Sequence, residues 1–167
     1  MNDKVSRVKK QMKYLVLSLM VLSQAVLAHD CLDFAADRFG ENRLLLRSIA
    51  YHESGYRPTA FHRNQDGSYD IGFMQINSSL LPWLKSKGIS EHALYDTCTN
   101  IWVGTYILAT FQQKYGNTWK AVGAYGAGSR RDHERARQTY ASMIYKTYLH
   151  ILAKQQRHQE PEYAALQ

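Results

Sequence analysis

Cysteine is scarce in this chain of 167 residues, with only Cys31 and Cys98 present. No second Cys or His stands at metal-ligand spacing from either, and the seven histidines are scattered. This argues against a metal centre and against a nucleophilic thiol. The apolar run from Tyr14 to Leu27 is shorter than the roughly 20 residues a membrane-spanning helix prefers. Internal repeats and linkers are absent, which leaves one domain with a single core. Aromatic and basic residues interleaved on one face, as a nucleic-acid binder would need, are also missing.

The basic residues that are present cluster at the start. Lys4, Arg7, Lys9, Lys10 and Lys13 precede the apolar run, and Val26-Leu27-Ala28 puts small residues where a signal peptidase reads. Residues 1–28 are therefore expected to be a cleavable signal peptide. Asp30 before Cys31 argues against a lipid-anchored N-terminus. The leader accounts for much of the surplus of 21 Lys and Arg over 14 Asp and Glu; the remainder holds 16 against 13, a net charge of +3. In an oxidising compartment Cys31 and Cys98 are expected to form a disulfide, worth about 2–4 kcal/mol.

Past the leader the pattern is helical. Leu32 to Phe39 reads as a helix stopped at Gly40, Arg43 to Ser54 as a second, and Asn100 to Tyr115 as a central buried helix ended by Gly116. Thr118 can cap a helix from Trp119 to about Tyr125. A long last helix starts at Ser129 or Asp132, with Tyr140, Ile144, Tyr148 and Ile151 at core spacing. Asn64 to Asp70 is rich in turn formers, and Ile71 to Asn77 could pair as a small hairpin. The tail 156–167 is polar and without periodicity, and is expected to be loose.

Chemistry concentrates at Glu53. With Leu46, Ile49 and Ala50 it follows i, i+3, i+4, i+7 spacing, so it shares a helix face with three apolar residues. Removal from water and the negative end of the helix both disfavour its charged form, which suits a general acid. A surface glutamate at a frayed helix end, or a buried one paired with an Arg, fits this stretch equally well.

Three stretches in order then carry a resemblance: Glu53-Ser54, Gly72-Phe73-Met74-Gln75-Ile76-Asn77, and Ala124-Tyr125-Gly126-Ala127-Gly128. Together they resemble the signatures of the soluble lytic transglycosylases, lysozyme-like enzymes that cleave peptidoglycan. The match runs from about Cys31 to Leu152. It is closest to the small periplasmic enzymes that accompany type III and type IV secretion, conjugation and pilus machines. The resemblance implies a mainly α, lysozyme-like (goose-type) fold with a small β-like segment near the cleft, a catalytic domain spanning 29–155. It also implies a monomer that acts on glycan strands without metal or cofactor. Glu53 would be the sole catalytic residue, acid first and base second, leaving a 1,6-anhydro end. Ser54 would hydrogen-bond beside it, Gly72 would admit the sugar chain, and Met74 and Gln75 would line the glycan subsites. Asn77 would be a cleft amide. Tyr125 would point its hydroxyl at the carboxyl, and Tyr140 would either line the cleft or pack in the core. The family usually has Asn where Gly126 stands.

Two rivals stay open. A hydrolytic muramidase would use Asp66 or Asp70 as a second carboxylate, although Asp in such company usually caps turns. A non-catalytic peptidoglycan-binding assembly protein would use the same cleft only to hold the wall.

Overall fold

The computed structural model describes residues 6, 7, 10, 12–14 and 30–164, with side chains through 157. The expected leader, including its Ala28 junction, and residues 165–167 lie almost wholly outside the described residues. Among the described residues no helix is long and apolar enough to cross a membrane.

Residues 30–39 form α1. Helix α2, Arg43–Ser54, begins where the Asn42 side chain accepts the Leu45 N–H at 3.0 Å. It ends at Gly55, whose left-handed backbone (φ 61°) turns its N–H back to the Tyr51 carbonyl. Then come three short strands, β1 (Phe61–Arg63), β2 (Tyr69–Ile71) and β3 (Ile76–Asn77), in one antiparallel sheet of order β1-β2-β3. Helices α3 (Leu81–Ser86), α4 (Thr97–Tyr115), α5 (Trp119–Ala127) and α6 (Glu134–Ala164) complete the fold. The last of these packs on α5 and α2, and α5 on α4. Leu46, Ile49, Ile101, Leu108 and Ile144 are fully buried where these helices meet, which supplies the main hydrophobic driving force.

The mainly α architecture with a small sheet is as expected, and the sheet adds a third strand, β1, to the expected hairpin. Phe61 pairs with Ile71, and Ile71 with Ile76, so one hairpin turns at Asn64–Ser68 and a second, as expected, turns within Ile71–Asn77. Gly72 to Gln75 is the tight turn of that second hairpin, with Gly72 at φ 80° and Gln75 at φ 52°. The reason lies in α4. Asn100, fully buried, accepts the Met74 N–H at 2.7 Å and donates to the carbonyls of Ile71 and Leu94 at 2.9 and 2.7 Å. One amide side chain thus takes up backbone groups that a continuing strand would have paired.

Smaller differences follow from local bonding. Helix α4 starts at Thr97, three residues before Asn100, because Asp96 caps it through the Thr99 N–H at 2.8 Å. Cys98 therefore sits in its first turn, bonded to Cys31 with the Cα atoms 5.3 Å apart. Thr118 makes no side-chain cap on α5; its hydroxyl donates to the Tyr115 carbonyl at 3.1 Å. Helix α6 runs on past Gln155, where order was expected to end.

Candidate active site

A cleft of about 1370 Å³ runs between the helices and the sheet. Small-molecule pockets span roughly 300–1,000 Å³, so this groove suits a polymer. Glu53 reaches it from the last turn of α2. Leu46, Ile49 and Ala50, its neighbours on that helix face, are completely buried. Glu53 itself is half-buried, and removal from water pushes its pKa from 4.5 up to about 7. The Tyr140 hydroxyl, which donates to Glu53 Oε1, works against that rise, and the charge of Asp70 adds to it. Among the described residues no Arg or Lys pairs with Glu53.

Tyr140 reaches the carboxyl because of two features beside it. Its ring lies flat against the backbone at Gly126, where a Cβ would overlap the ring carbons. Arg137, one turn earlier on α6, is 5% exposed and donates to the carbonyls of Gly128 and Arg130 at 3.1 and 2.7 Å. It fixes the loop from α5 into α6, and with it the height of Tyr140 on the wall. Burial holds the phenols of Tyr140 and Tyr125 well above their ordinary pKa, with the nearby Glu53 charge adding to it. Both remain donors at neutral pH.

On the opposite wall β2 alternates as a strand must: Ile71 enters the core and Asp70 lines the cleft. Asp70 accepts from the amides of Asn77 and Asn64 at 2.7 and 2.9 Å. Asp66 takes the turn role expected of it, accepting the Ser68 N–H and hydroxyl at 3.0 and 2.7 Å.

The remaining predicted residues divide into two groups. Gln75 and Asn77 line the cleft with Glu53 and Tyr125. Gln75 sits in left-handed backbone and donates its amide to the Gly72 carbonyl at 2.9 Å, which holds an otherwise strained residue in place. Ser54, Gly72 and Met74 are not at the surface of the cleft. The Ser54 hydroxyl donates to the Phe73 carbonyl at 2.7 Å, tying the end of α2 to the turn. The open side of Gly72 faces Asn100 and the Leu94 carbonyl, 2.6 Å from where a Cβ would stand, so the close approach is internal and not to a sugar. Met74 is fully buried, so no sugar can pack on it. Tyr125 also differs from expectation. Its hydroxyl donates to the Met74 carbonyl at 2.8 Å, and the bond to the carboxyl belongs to Tyr140.

Trp83 and Tyr106 were not picked out from the sequence. They stack with ring centroids 5.6 Å apart on the cleft wall. Asn100 was read only as a helix start, although an amide embedded in an apolar helix is itself a sign of a buried bonding task. Among the described residues no group of three or more His, Cys, Asp or Glu side chains is placed to hold a metal ion.

The model of the transglycosylase SLT domain matches residues 30–148. The chain belongs to that family. Similarity to two curated proteins extends over most of both partners. One is the X polypeptide of Escherichia coli, 40% identical over 140 residues, covering 82% of this chain and 83% of the relative. The other is the invasion protein IagB of Salmonella typhimurium (strain SL1344), 39% identical over 136 residues, covering 81% and 85%. Among solved structures, an inactive mutant of the lytic transglycosylase Slt from Pseudomonas aeruginosa shares the fold. Its TM-score is 0.59 at 21% identity, and the match covers 77% of this chain and 24% of that longer one.

As an SLT-family member the chain is a peptidoglycan lytic transglycosylase. Gly126 makes room for the Tyr140 ring that bonds the carboxyl, since a side chain there would overlap it.

Proposed function

We propose that Glu53 cleaves the β-1,4 bond between N-acetylmuramic acid and N-acetylglucosamine without consuming water. Held protonated near neutral pH, it gives its proton to the leaving glycosidic oxygen as the bond to C1 breaks. The substrate's own acetamido oxygen supports the positive charge at C1. The Glu53 carboxylate then takes the proton from the muramoyl 6-hydroxyl, whose oxygen bonds to C1 and closes the 1,6-anhydro ring. The proton balance is closed, because the carboxyl ends as it began.

The observation that carries this reading is Glu53 itself, a cleft carboxyl with a pKa of about 7, matched to giving and taking a proton at neutrality. The engagement of Asp66 with its own turn and of Asp70 with two amides supports a mechanism with one working carboxylate. Gln75, Asn77, Tyr125 and Tyr140 would position the glycan and the acid. The predicted leader and the disulfide support action in the periplasm. The similarity to IagB, named an invasion protein, supports local opening of the wall for an envelope-spanning secretion, conjugation or pilus machine.

The test is digestion of purified peptidoglycan by the wild type and by Glu53→Gln, with soluble fragments weighed by mass spectrometry. Anhydro-ended muropeptides from the wild type alone are expected. Reducing ends would replace this chemistry with hydrolysis and turn attention to Asp70. Binding without fragments from either protein would leave a holder of the wall.

A further inference from the structure

The stack of Trp83 and Tyr106 does not stop at the cleft. Tyr106 meets the edge of Phe39 at 6.2 Å between centroids, Phe39 meets Trp102 at 4.9 Å, and Trp102 stacks on Phe34 at 5.9 Å. Five rings from α1, α3 and α4 thus form one unbroken ribbon. Trp83 and Tyr106 lie within the cleft, and Phe34 lies on the outer surface of α1. Three of the rings stay open to solvent: Phe34 is 65% exposed, Tyr106 42% and Trp83 37%. A ribbon built only to pack α1 against α4 would gain by burying these faces, and it leaves them out.

We propose that this ribbon is a glycan-binding track that carries the strand out of the cleft, so that the enzyme holds sugars well beyond the bond it cuts. The inference rests on the reading of the cleft as a glycan site. The axial hydrogens of a pyranose ring give each sugar an apolar, slightly positive face, which complements the negative face of an aromatic ring. Trp83 and Tyr106 stack within 19° of parallel and Trp102 and Phe34 within 28°, so the ribbon is two ring stacks joined by the edge-on Phe39, each with exposed ring surface from Trp83 and Tyr106 or from Phe34. Polar groups border the outer stack. Asp37 and Arg38 follow Phe34 at i+3 and i+4 on α1, and Asp37 accepts three bonds from Arg43, from Nε at 3.1 Å and from Nη2 at 2.7 and 2.8 Å. An aromatic face flanked by fixed charged groups can grip both the face and the hydroxyl rim of a sugar. Continuity with the cleft selects a polysaccharide strand as the occupant over a protein.

The experiment compares the full chain with Phe34→Leu, which keeps an apolar side chain but no flat face, and Phe34→Tyr, which keeps the ring. Kinetics are followed on intact peptidoglycan sacculi and on short soluble muropeptides, with melting temperatures measured alongside. Phe34→Leu should raise KM on sacculi roughly three- to tenfold, leave kcat and the short substrate unchanged, and melt within a degree or two of the parent. Phe34→Tyr should behave as the parent. Unchanged KM on sacculi in Phe34→Leu, or an equal rise for both substrates, would overturn the track and make the ribbon packing alone. Co-sedimentation of the Glu53→Gln chain with sacculi separates this from failure of the functional reading. Binding that weakens with Phe34→Leu while the parent cuts nothing would keep the track and sink the transglycosylase chemistry. Anhydro products with no dependence on Phe34 would do the reverse.

Discussion

On the helical wall of the cleft Glu53 has, among the described residues, one hydrogen-bond donor, the Tyr140 hydroxyl, and apolar neighbours from its own helix. On the sheet wall Asp70 has two amide donors, Asn64 and Asn77, and lies in a turn-rich surface of polar side chains bonded to one another. The two carboxyls are chemically alike and share one groove. A helix face supplies many carbon atoms and few donors, so the carboxyl there tends to keep its proton. A strand flanked by Asn-rich turns supplies donors, and its carboxyl becomes a fastening point for the wall. The surroundings of each acid are thus set by the element that carries it.

The sharpest way to break it is Glu53→Gln. Activity on peptidoglycan should fall at least about 100-fold. The same variant reports on stability. A carboxyl with pKa about 7 in the fold, against 4.5 ordinarily, binds its proton more tightly folded than unfolded. Its full contribution is present below about pH 4.5 and is lost as pH rises through about 7. Above that range the buried charge costs on the order of 3 kcal/mol. The melting temperature of Glu53→Gln should therefore gain on the wild type between pH 4.5 and 7 and level off beyond. A difference that stays flat with pH would mean that Glu53 is not desolvated.

Asp70→Asn comes next. A fastening role predicts a loss of stability of about 1–3 kcal/mol and an activity loss well short of that in Glu53→Gln, with anhydro ends retained. Collapse of activity without loss of stability would make Asp70 a second working carboxylate. Gly126→Ala places a methyl group against the Tyr140 ring and should cost about 1–3 kcal/mol, and it should lower activity by displacing the phenol. An unchanged melting curve would mean that α6 shifts freely there. The smallest effect is expected of Tyr140→Phe. Loss of the donor removes the influence that lowers the Glu53 pKa, so the alkaline limb of the pH–rate profile should move upward from about 7. A downward move would reverse the assignment.

Much of this contrast was legible in the residues. The apolar spacing through Leu46, Ile49 and Ala50 placed Glu53 on a buried face, and Ser54-Gly55 marked the helix end, because both are local signals with a fixed period. The sheet was harder, since three-residue strands offer too little alternation to set a register. Its turn at Gly72 to Gln75 depends on Asn100, an amide some 26 residues downstream of Met74. The exchange of roles between Tyr125 and Tyr140 was out of reach for the same reason. Which of two phenols meets a carboxyl 87 positions away depends on helix packing. Met74 likewise belongs to a motif beside the cleft without facing it, and sequence adjacency cannot tell those apart.

Asn100 has one further consequence. It stands two residues after Cys98, within the part of α4 that the disulfide ties to α1, and it fixes the turn at the foot of the sheet wall. The wall's position is thus inherited from the buried helix, while Asn64, Asp70 and Asn77 fasten its surface strands and turns to one another. Loss of Asn100 would shift every one of them at once.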